Sequence, residues 1–139
     1  MKLKRCFIDE NGSIWKDSSL IEKSKELQPE PFDISQISYE EVLRWKIVNI
    51  RDYVSHFKRV LNADCSIPII LRSDGYPMDG LHRIIKALST GEKLTAKKFK
   101  ITPEPDFKIK DITEMFHRHL DGLHELGNLD EIGIEIRKG

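Results

Sequence analysis

The alternation of apolar and polar residues near the start of the chain predicts a hairpin followed by a helix. Residues 3–8 and 13–15 flank Asn11-Gly12, a dipeptide that strongly favours a tight turn between antiparallel strands. Ser19-Leu20-Ile21-Glu22 has the form of a capping box, in which a serine and a glutamate three positions later satisfy the first N–H groups of a helix. We therefore expect a hairpin and then a helix that runs to about Leu27.

Residues 49–62 carry the clearest helical pattern of the chain. Their apolar residues recur at spacings of three and four positions, which places them on one side of a helix: Ile50, Tyr53, Val54, Phe57, Val60 and Leu61. Asp52, His56 and Arg59 follow a different stripe of the same helix. We expect the apolar side to be buried, which leaves the carboxylate, the imidazole and the guanidinium facing a ligand or water.

A strand, a turn and another helix are predicted next. Ile67-Pro68-Ile69-Ile70-Leu71 is an apolar run typical of strands that are buried on both faces. Pro77 should keep the short returning strand away from the centre of a sheet, because proline has no N–H to donate. Residues 80–89 form an amphipathic pattern that stops at Gly91, and residues 94–101 have the pattern of a strand.

The rest of the chain adds two helices and two extended segments. Residues 32–37 follow a Pro-rich break and are expected to be extended, and a second capping box at 38–41 predicts a helix to about Trp45. A last helix is expected over 111–126, and 132–136 alternates as a half-buried strand does. Together these elements predict an α+β fold, a small mixed sheet with helices packed on it.

Length and composition limit the class of protein. The 139 residues are 39% hydrophobic and 33% charged and carry no formal net charge at pH 7, which suits one domain spanning 1–139. A neutral chain argues against coating nucleic acid or a membrane through bulk charge. Two cysteines are too few for a disulfide scaffold, and no run of about 18 apolar residues is present. We therefore expect a cytoplasmic protein with no membrane partner.

The charge is unevenly distributed along the chain. Residues 80–110 carry a net charge of +5, whereas residues 111–139 carry −4. A basic region followed by an acidic one is compatible with a phosphate-facing site and a self-neutralising neighbour. Ordinary solvated surfaces give the same pattern, so the charges alone do not decide between the two interpretations.

The segment Asp79-Gly80-Leu81-His82-Arg83 is the most specific chemical feature of the sequence. It opens the helix of residues 80–89, where unpaired N–H groups and the helix dipole attract anions. His82, Arg83 and Lys86 place cationic or hydrogen-bonding groups at that end, which is unfavourable unless an anion is present. Phosphate is the commonest such anion, although Asp79 as a plain cap and Arg83 in an internal ion pair remain alternatives. No Walker-type phosphate loop occurs in the chain.

Several motifs in the stretch from 32 to 101 fall in the order of a known superfamily. They are the Ile67-Pro68-Ile69-Ile70 strand, the Asp79-Gly80-Leu81-His82-Arg83 motif, Ala87-Leu88 with Gly91 three positions later, and the strand Thr95-Ala96-Lys97-Lys98-Phe99. This region resembles the core of the ParB/sulfiredoxin-like superfamily. Its members include partition proteins that hydrolyse CTP, sulfiredoxins that use ATP, free serine kinases that use ADP, and ParB-type nuclease domains. Residues 1–31 and 102–139 would be extensions of that core.

The resemblance implies a nucleotide-binding site with ATP, ADP or CTP and Mg²⁺. Gly80, Leu81 and the amides after them would face the phosphates, and His82, Arg83 and Lys86 would neutralise them. Asp79 would hold Mg²⁺ or assist phosphoryl transfer, so that Asp79, His82 and Arg83 form the catalytic set. His56 and Arg59, on the helix that faces the nucleotide in the family, are further candidates.

Departures from the family narrow these expectations. Sulfiredoxin chemistry needs a cysteine immediately before the His-Arg pair, where this chain has Leu81. Cys65 is expected to be a small core residue. Only about 38 residues follow the core and they are acidic, which disfavours a partition protein. Three functions therefore remain: a small nucleotide-dependent kinase or NTPase, a non-catalytic nucleotide- or anion-binding module with a protein partner, and a disfavoured nucleic-acid-processing accessory that uses the lysines of 93–110.

A second cluster lies in the predicted last helix. His117, Asp121 and His124 share one stripe and have side chains that can bind a divalent metal. Ligands from a single helix seldom converge on one ion without help from another segment. The expectation of a metal at this cluster is accordingly weak, and His119 is expected to pack in the core.

Overall fold

A computed structural model describes residues 6–37 and 49–109 of the chain. The described elements, in chain order, are β1 (Cys6–Ile8), β2 (Ser13–Lys16), α1 (Asp17–Lys23), β3 (Glu30–Phe32), a 3-10 turn (Ile34–Gln36), α2 (Ile50–Asn62), β4 (Ile69–Leu71), β5 (Pro77–Asp79), α3 (Leu81–Thr90), β6 (Leu94–Lys98) and β7 (Phe107–Lys108). Three helices and two small sheets confirm the α+β prediction. The predicted helices at 38–45 and 111–126 and the strand at 132–136 lie outside the described residues.

The contacts group the described residues into two compact units, one made of 6–20 with 104–109 and the other of 21–37 with 49–103. In the first, β1, β2 and β7 form an antiparallel sheet in that order, with Ile14 paired to Phe107. The Asp9 carboxylate accepts from the N–H groups of Asn11 and Ser13, both at 2.9 Å, and closes the β1–β2 turn. The predicted hairpin is confirmed.

Helix α1 starts directly after β2, at Asp17, and ends at Lys23. The prediction that Ser19 caps this helix is therefore wrong, because Ser19 lies inside it. The helix also ends before Leu27, and its last turn is followed by a bend in which the Leu27 N–H donates to the Ser24 carbonyl.

The second unit is built on a four-stranded mixed sheet in the order β3-β6-β4-β5. Strands β4 and β6 are parallel, with Ile69 paired to Ala96, and the other neighbours are antiparallel. All three residues of β4 are buried, as its apolar run predicts, and Pro77 lies on the edge strand, also as predicted. Cys65 is buried in the core cluster beneath this sheet, so its assignment as a core residue is confirmed.

The expectation of an extended segment over 32–37 is only partly correct. Strand β3 covers Glu30–Phe32, and the chain then enters the 3-10 turn. The Asp33 carboxylate stabilises that turn, since it accepts from the Ser35 N–H at 3.0 Å and from the Ser35 hydroxyl at 2.6 Å. These hydrogen bonds also lower the pKa of Asp33. A short Asp-to-Ser interaction thus competes successfully with the extended conformation.

Helix α2 begins after Asn49, whose side-chain oxygen accepts from the Asp52 N–H at 2.9 Å. Its range agrees with the prediction but its orientation does not. The side chains on the predicted core side are mostly in water, with Ile50 82% and Phe57 52% exposed. The residues of intermediate burial are Asp52 and His56, on the polar stripe, and Val60, at the border of the apolar side next to them, and α2 contacts α3. The expectation of a buried apolar side is therefore wrong.

Helix α3 lies between two glycines in the left-handed conformation, Gly80 before it and Gly91 after it. Both ends agree with the prediction. The buried side of the helix is formed by Leu81, Ile84 and Ala87. Among the described helices, none is long and apolar enough to cross a membrane.

Candidate functional site

The candidate site is the start of α3, where the chain turns from β5 into the helix through Gly80. Gly80 has φ of 106°, a conformation that side chains rarely adopt. A Cβ atom at this position would lie 2.5 Å from Cγ2 and 2.9 Å from Cβ of Ile69. Glycine is thus required here by the packing of the helix start on β4. On this side of Gly80, Ile69 makes the close approach that we expected a ligand to make.

Arg83 is bonded internally in the structure. Its Nη1 donates to the carbonyls of Ile67 and Pro68, at 3.0 and 2.8 Å, and its Nη2 donates to Oδ2 of Asp79 at 2.9 Å. The Arg83 side chain is 13% exposed and that of Asp79 29%. Of the two alternatives left open for this guanidinium, the structure shows the internal ion pair. It ties the entry to β4, the end of β5 and the first turn of α3 together.

Lys86 is also bonded within the fold. Its ammonium donates to the carbonyl of Leu61 at 3.1 Å and to that of Ala63 at 2.7 Å. Both carbonyls belong to the carboxyl end of α2, where a cation interacts favourably with the helix dipole and satisfies unpaired acceptors. No local pattern in the sequence predicts this cap, because the two carbonyls are more than twenty positions away from Lys86.

His56 and His82 are brought together although they are 26 positions apart. Nδ1 of His56 lies 3.1 Å from Nε2 of His82, and the ring planes differ by only 14°. The ring centroids are 5.4 Å apart, which is the nitrogen–nitrogen distance extended by about one ring radius at each end. The two nitrogens therefore point at each other nearly in the ring planes, which is the geometry of a linear N–H···N hydrogen bond.

This geometry fixes what the pair can hold. In a linear arrangement a metal ion between two imidazoles needs about 2 Å to each nitrogen, hence a wider gap than 3.1 Å. A proton fits the gap without any movement. One ring donates and the other, neutral at that nitrogen, accepts, so the pair can take up one additional proton and keep the bond. Two additional protons would leave no acceptor and break it.

The other candidate residues differ from the histidine pair in their surroundings. Leu81 is buried and packs in the core, so only its backbone could face a ligand. Arg59 is exposed in the last turn of α2, where a cation is favourable to the dipole. Within the described residues, no group of three or more His, Cys, Asp or Glu side chains could hold a metal ion. The cluster of His117, Asp121 and His124 lies outside the described part of the chain.

Both thiols should be unreactive in the folded protein. Burial is the main cause that raises the pKa of Cys6 to about 11, with nearby Asp17 and Asp106 adding to the effect. Burial also raises the pKa of Cys65. Since the thiolate is the reactive form, we expect an aromatic disulfide reagent at pH 8 to modify the native protein more than about tenfold more slowly than the unfolded chain. Reaction of either thiol at the unfolded rate without loss of structure would contradict this burial.

No known protein family, curated protein or solved structure matched this chain when it was compared with them.

Proposed function

We propose that this chain binds the phosphate group of a nucleotide, or of a similar small phosphorylated molecule, at the start of α3, and that it does so as a binding module. The observation that carries the proposal is the His56–His82 pair beside the first turn of that helix. It supplies imidazole groups that can donate hydrogen bonds, and can take up a proton, at a helix end that attracts anions.

The electrostatics of the helix start support an anion. Among the described residues, no side chain caps α3, and the Ile84 N–H donates to the Gly80 carbonyl at 3.0 Å. A protonated imidazole at a helix amino end is unfavourable by itself, because both carry positive charge. A phosphate would interact favourably with the N–H groups and with the imidazole pair at once.

Binding is favoured over phosphoryl transfer by the state of Asp79 and Arg83. Arg83 is bonded to Oδ2 of Asp79, so a Mg²⁺ ion on the other carboxylate oxygen would be repelled by the adjacent guanidinium. If the carboxylate left Arg83 instead, the mostly buried guanidinium would lose its counter-charge. Arg83 would also have to leave two backbone carbonyls before it could neutralise a phosphate. The residues present therefore suit Mg²⁺ poorly unless this ion pair opens. An anion at the helix start needs no such rearrangement.

Calorimetric titration with inorganic phosphate, ATP, ADP, CTP and GTP, each with and without Mg²⁺, tests the proposal. We expect at least one of these to bind more tightly than about 1 mM, and His82→Gln to weaken that binding about tenfold. Lys98→Gln, on the exposed part of β6, is the matched control and should leave affinity unchanged.

Two results would contradict the proposal in different ways. If no phosphate compound binds more tightly than about 1 mM, the start of α3 is not a phosphate site. If a nucleotide binds and is consumed, alone or only with a hydroxyl compound such as serine, the chain is an NTPase or a kinase and Asp79 and Arg83 must rearrange.

A further inference from the structure

The apolar side of α2 is an exposed surface with the spacing of a helix-packing seam. Its members lie at positions i, i+3, i+4, i+7 and i+11: Ile50 is 82% exposed, Tyr53 59%, Val54 41%, Phe57 52% and Leu61 58%. The rings of Tyr53 and Phe57 are nearly parallel, with centroids 6.5 Å apart and planes at 9°. We call these five side chains the α2 seam.

The helix is held in place by its other side, so the α2 seam is presented on a fixed support. His56 bonds to His82 of α3, and Lys86 of α3 caps the carboxyl end of α2. Asn49 caps the amino end. A preformed apolar surface loses little conformational freedom when a partner covers it, which favours binding.

The charges beside the α2 seam are basic. At 100° per residue, Arg51 and Lys58 fall along the edge next to Val54, and both are exposed. Asp52, the acidic residue of the helix, falls on the side of His56 and is only partly exposed. The accessible edge of the seam therefore attracts acidic side chains.

We propose that the α2 seam docks an amphipathic helix of another protein that carries acidic residues beside its apolar stripe. A second copy of this chain fits less well, because two α2 seams would bring their basic edges together. An anionic membrane also fits less well, because the stripe is narrow and carries few basic residues for a membrane-surface helix. Apolar positions at heptad-like spacing with a charged edge are the usual means by which one helix selects another. This inference does not depend on the phosphate site.

Fluorescence anisotropy with the full chain and two designed peptides tests the docking. Both peptides have a leucine stripe at heptad spacing; one carries glutamates beside the stripe and the other carries lysines at the same positions. We expect the glutamate peptide to bind at least about tenfold more tightly. Phe57→Ser should weaken it about tenfold or more, whereas Ser55→Ala, off the seam, should not. Arg51→Glu with Lys58→Glu should reverse the preference between the peptides.

Thermal unfolding separates a docking role from a structural one. Because Phe57 is half-exposed, Phe57→Ser should keep the native melting temperature while it loses the peptide. Three outcomes would overturn the proposal: equal or absent binding of both peptides, sedimentation with anionic vesicles that Phe57→Ser abolishes, or a dimer of the full chain that Phe57→Ser dissociates.

Discussion

Replacing Arg83 by methionine should lower the free energy of unfolding by about 2–4 kcal/mol, measured by urea denaturation. Methionine keeps much of the apolar stem but donates no hydrogen bond. The change would leave the carbonyls of Ile67 and Pro68 without this donor and the partly buried Asp79 carboxylate without its counter-charge. The Ile67 carbonyl is exposed to water, but the Pro68 carbonyl and the Asp79 carboxylate are partly buried, and buried groups left without a partner cost more than the hydrogen bonds themselves contribute.

Arg72→Met is the matched control for this prediction. Arg72 also forms a two-pronged ion pair, with Nε and Nη2 on the Asp74 carboxylate at 2.8 and 2.6 Å, and this pairing lowers the pKa of Asp74. Asp74 is 57% exposed, so water can replace the guanidinium. We expect a loss below about 1 kcal/mol there. Equal losses in the two variants would mean that Arg83 does not tie the β4 entry, β5 and α3 together.

Asp79→Asn completes the test and bears on function. If the internal ion pair is the role of Arg83, the Arg83→Met and Asp79→Asn losses should be far from additive in the double variant. If Arg83 instead serves a bound phosphate, Arg83→Met should be nearly as stable as the wild-type protein and should lose phosphate affinity. The two roles are therefore distinguished by which measurement changes, the free energy of unfolding or the dissociation constant.

The features predicted correctly are those whose cause is local. The Asn11-Gly12 turn, the buried apolar run of β4 and the glycine at each end of α3 are fixed by residues a few positions apart. Cross-strand pairings such as β3 with β6, or β2 with β7, have no local signal. They depend on packing between segments that are distant in the chain, which a periodic pattern does not encode.

Helix α2 shows why periodicity can be correct for the element and wrong for its environment. The apolar spacing predicts both the helix and its apolar side, and both are present. Burial requires in addition that something cover that side. The His56–His82 bond and the Lys86 cap fix the polar stripe against α3 instead, so that the apolar side faces outward. None of these contacts is visible in a hydrophobic pattern, since each joins residues that are more than twenty positions apart.

The motif at 79–83 was ambiguous for a chemical reason. An acid, a glycine and an arginine at a helix start are typical of a phosphate site. The same three residue types can equally form an internal ion pair that joins neighbouring elements of the fold. In either case the Arg83 nitrogens donate to oxygen atoms. These are carboxylate and backbone oxygens in the internal ion pair and phosphate oxygens in a binding site. Only the positions of Asp79 and of the carbonyls of Ile67 and Pro68 decide which acceptors are in reach.

Gly80→Ala should be as damaging as the loss of Arg83, at about 2–5 kcal/mol of unfolding free energy. Two effects act together. The backbone at φ 106° is strained for any residue with a Cβ. The new methyl group would also lie 2.5 Å from the Ile69 side chain and 3.1 Å from Nη2 of Arg83, so either β4 or the ion pair must shift.

Gly91→Ala separates these two effects, because Gly91 has φ of 77° and nothing lies within 4 Å of where its Cβ would be. Gly91→Ala should therefore lower the free energy of unfolding only by the backbone strain, about 1–2 kcal/mol. The excess loss at Gly80 then measures the packing of the helix start against β4. If both variants lose the same amount, the contact with Ile69 relaxes freely. In that case space exists above the motif for a ligand to approach the main chain, and glycine at position 80 would be explained by binding rather than by the fold.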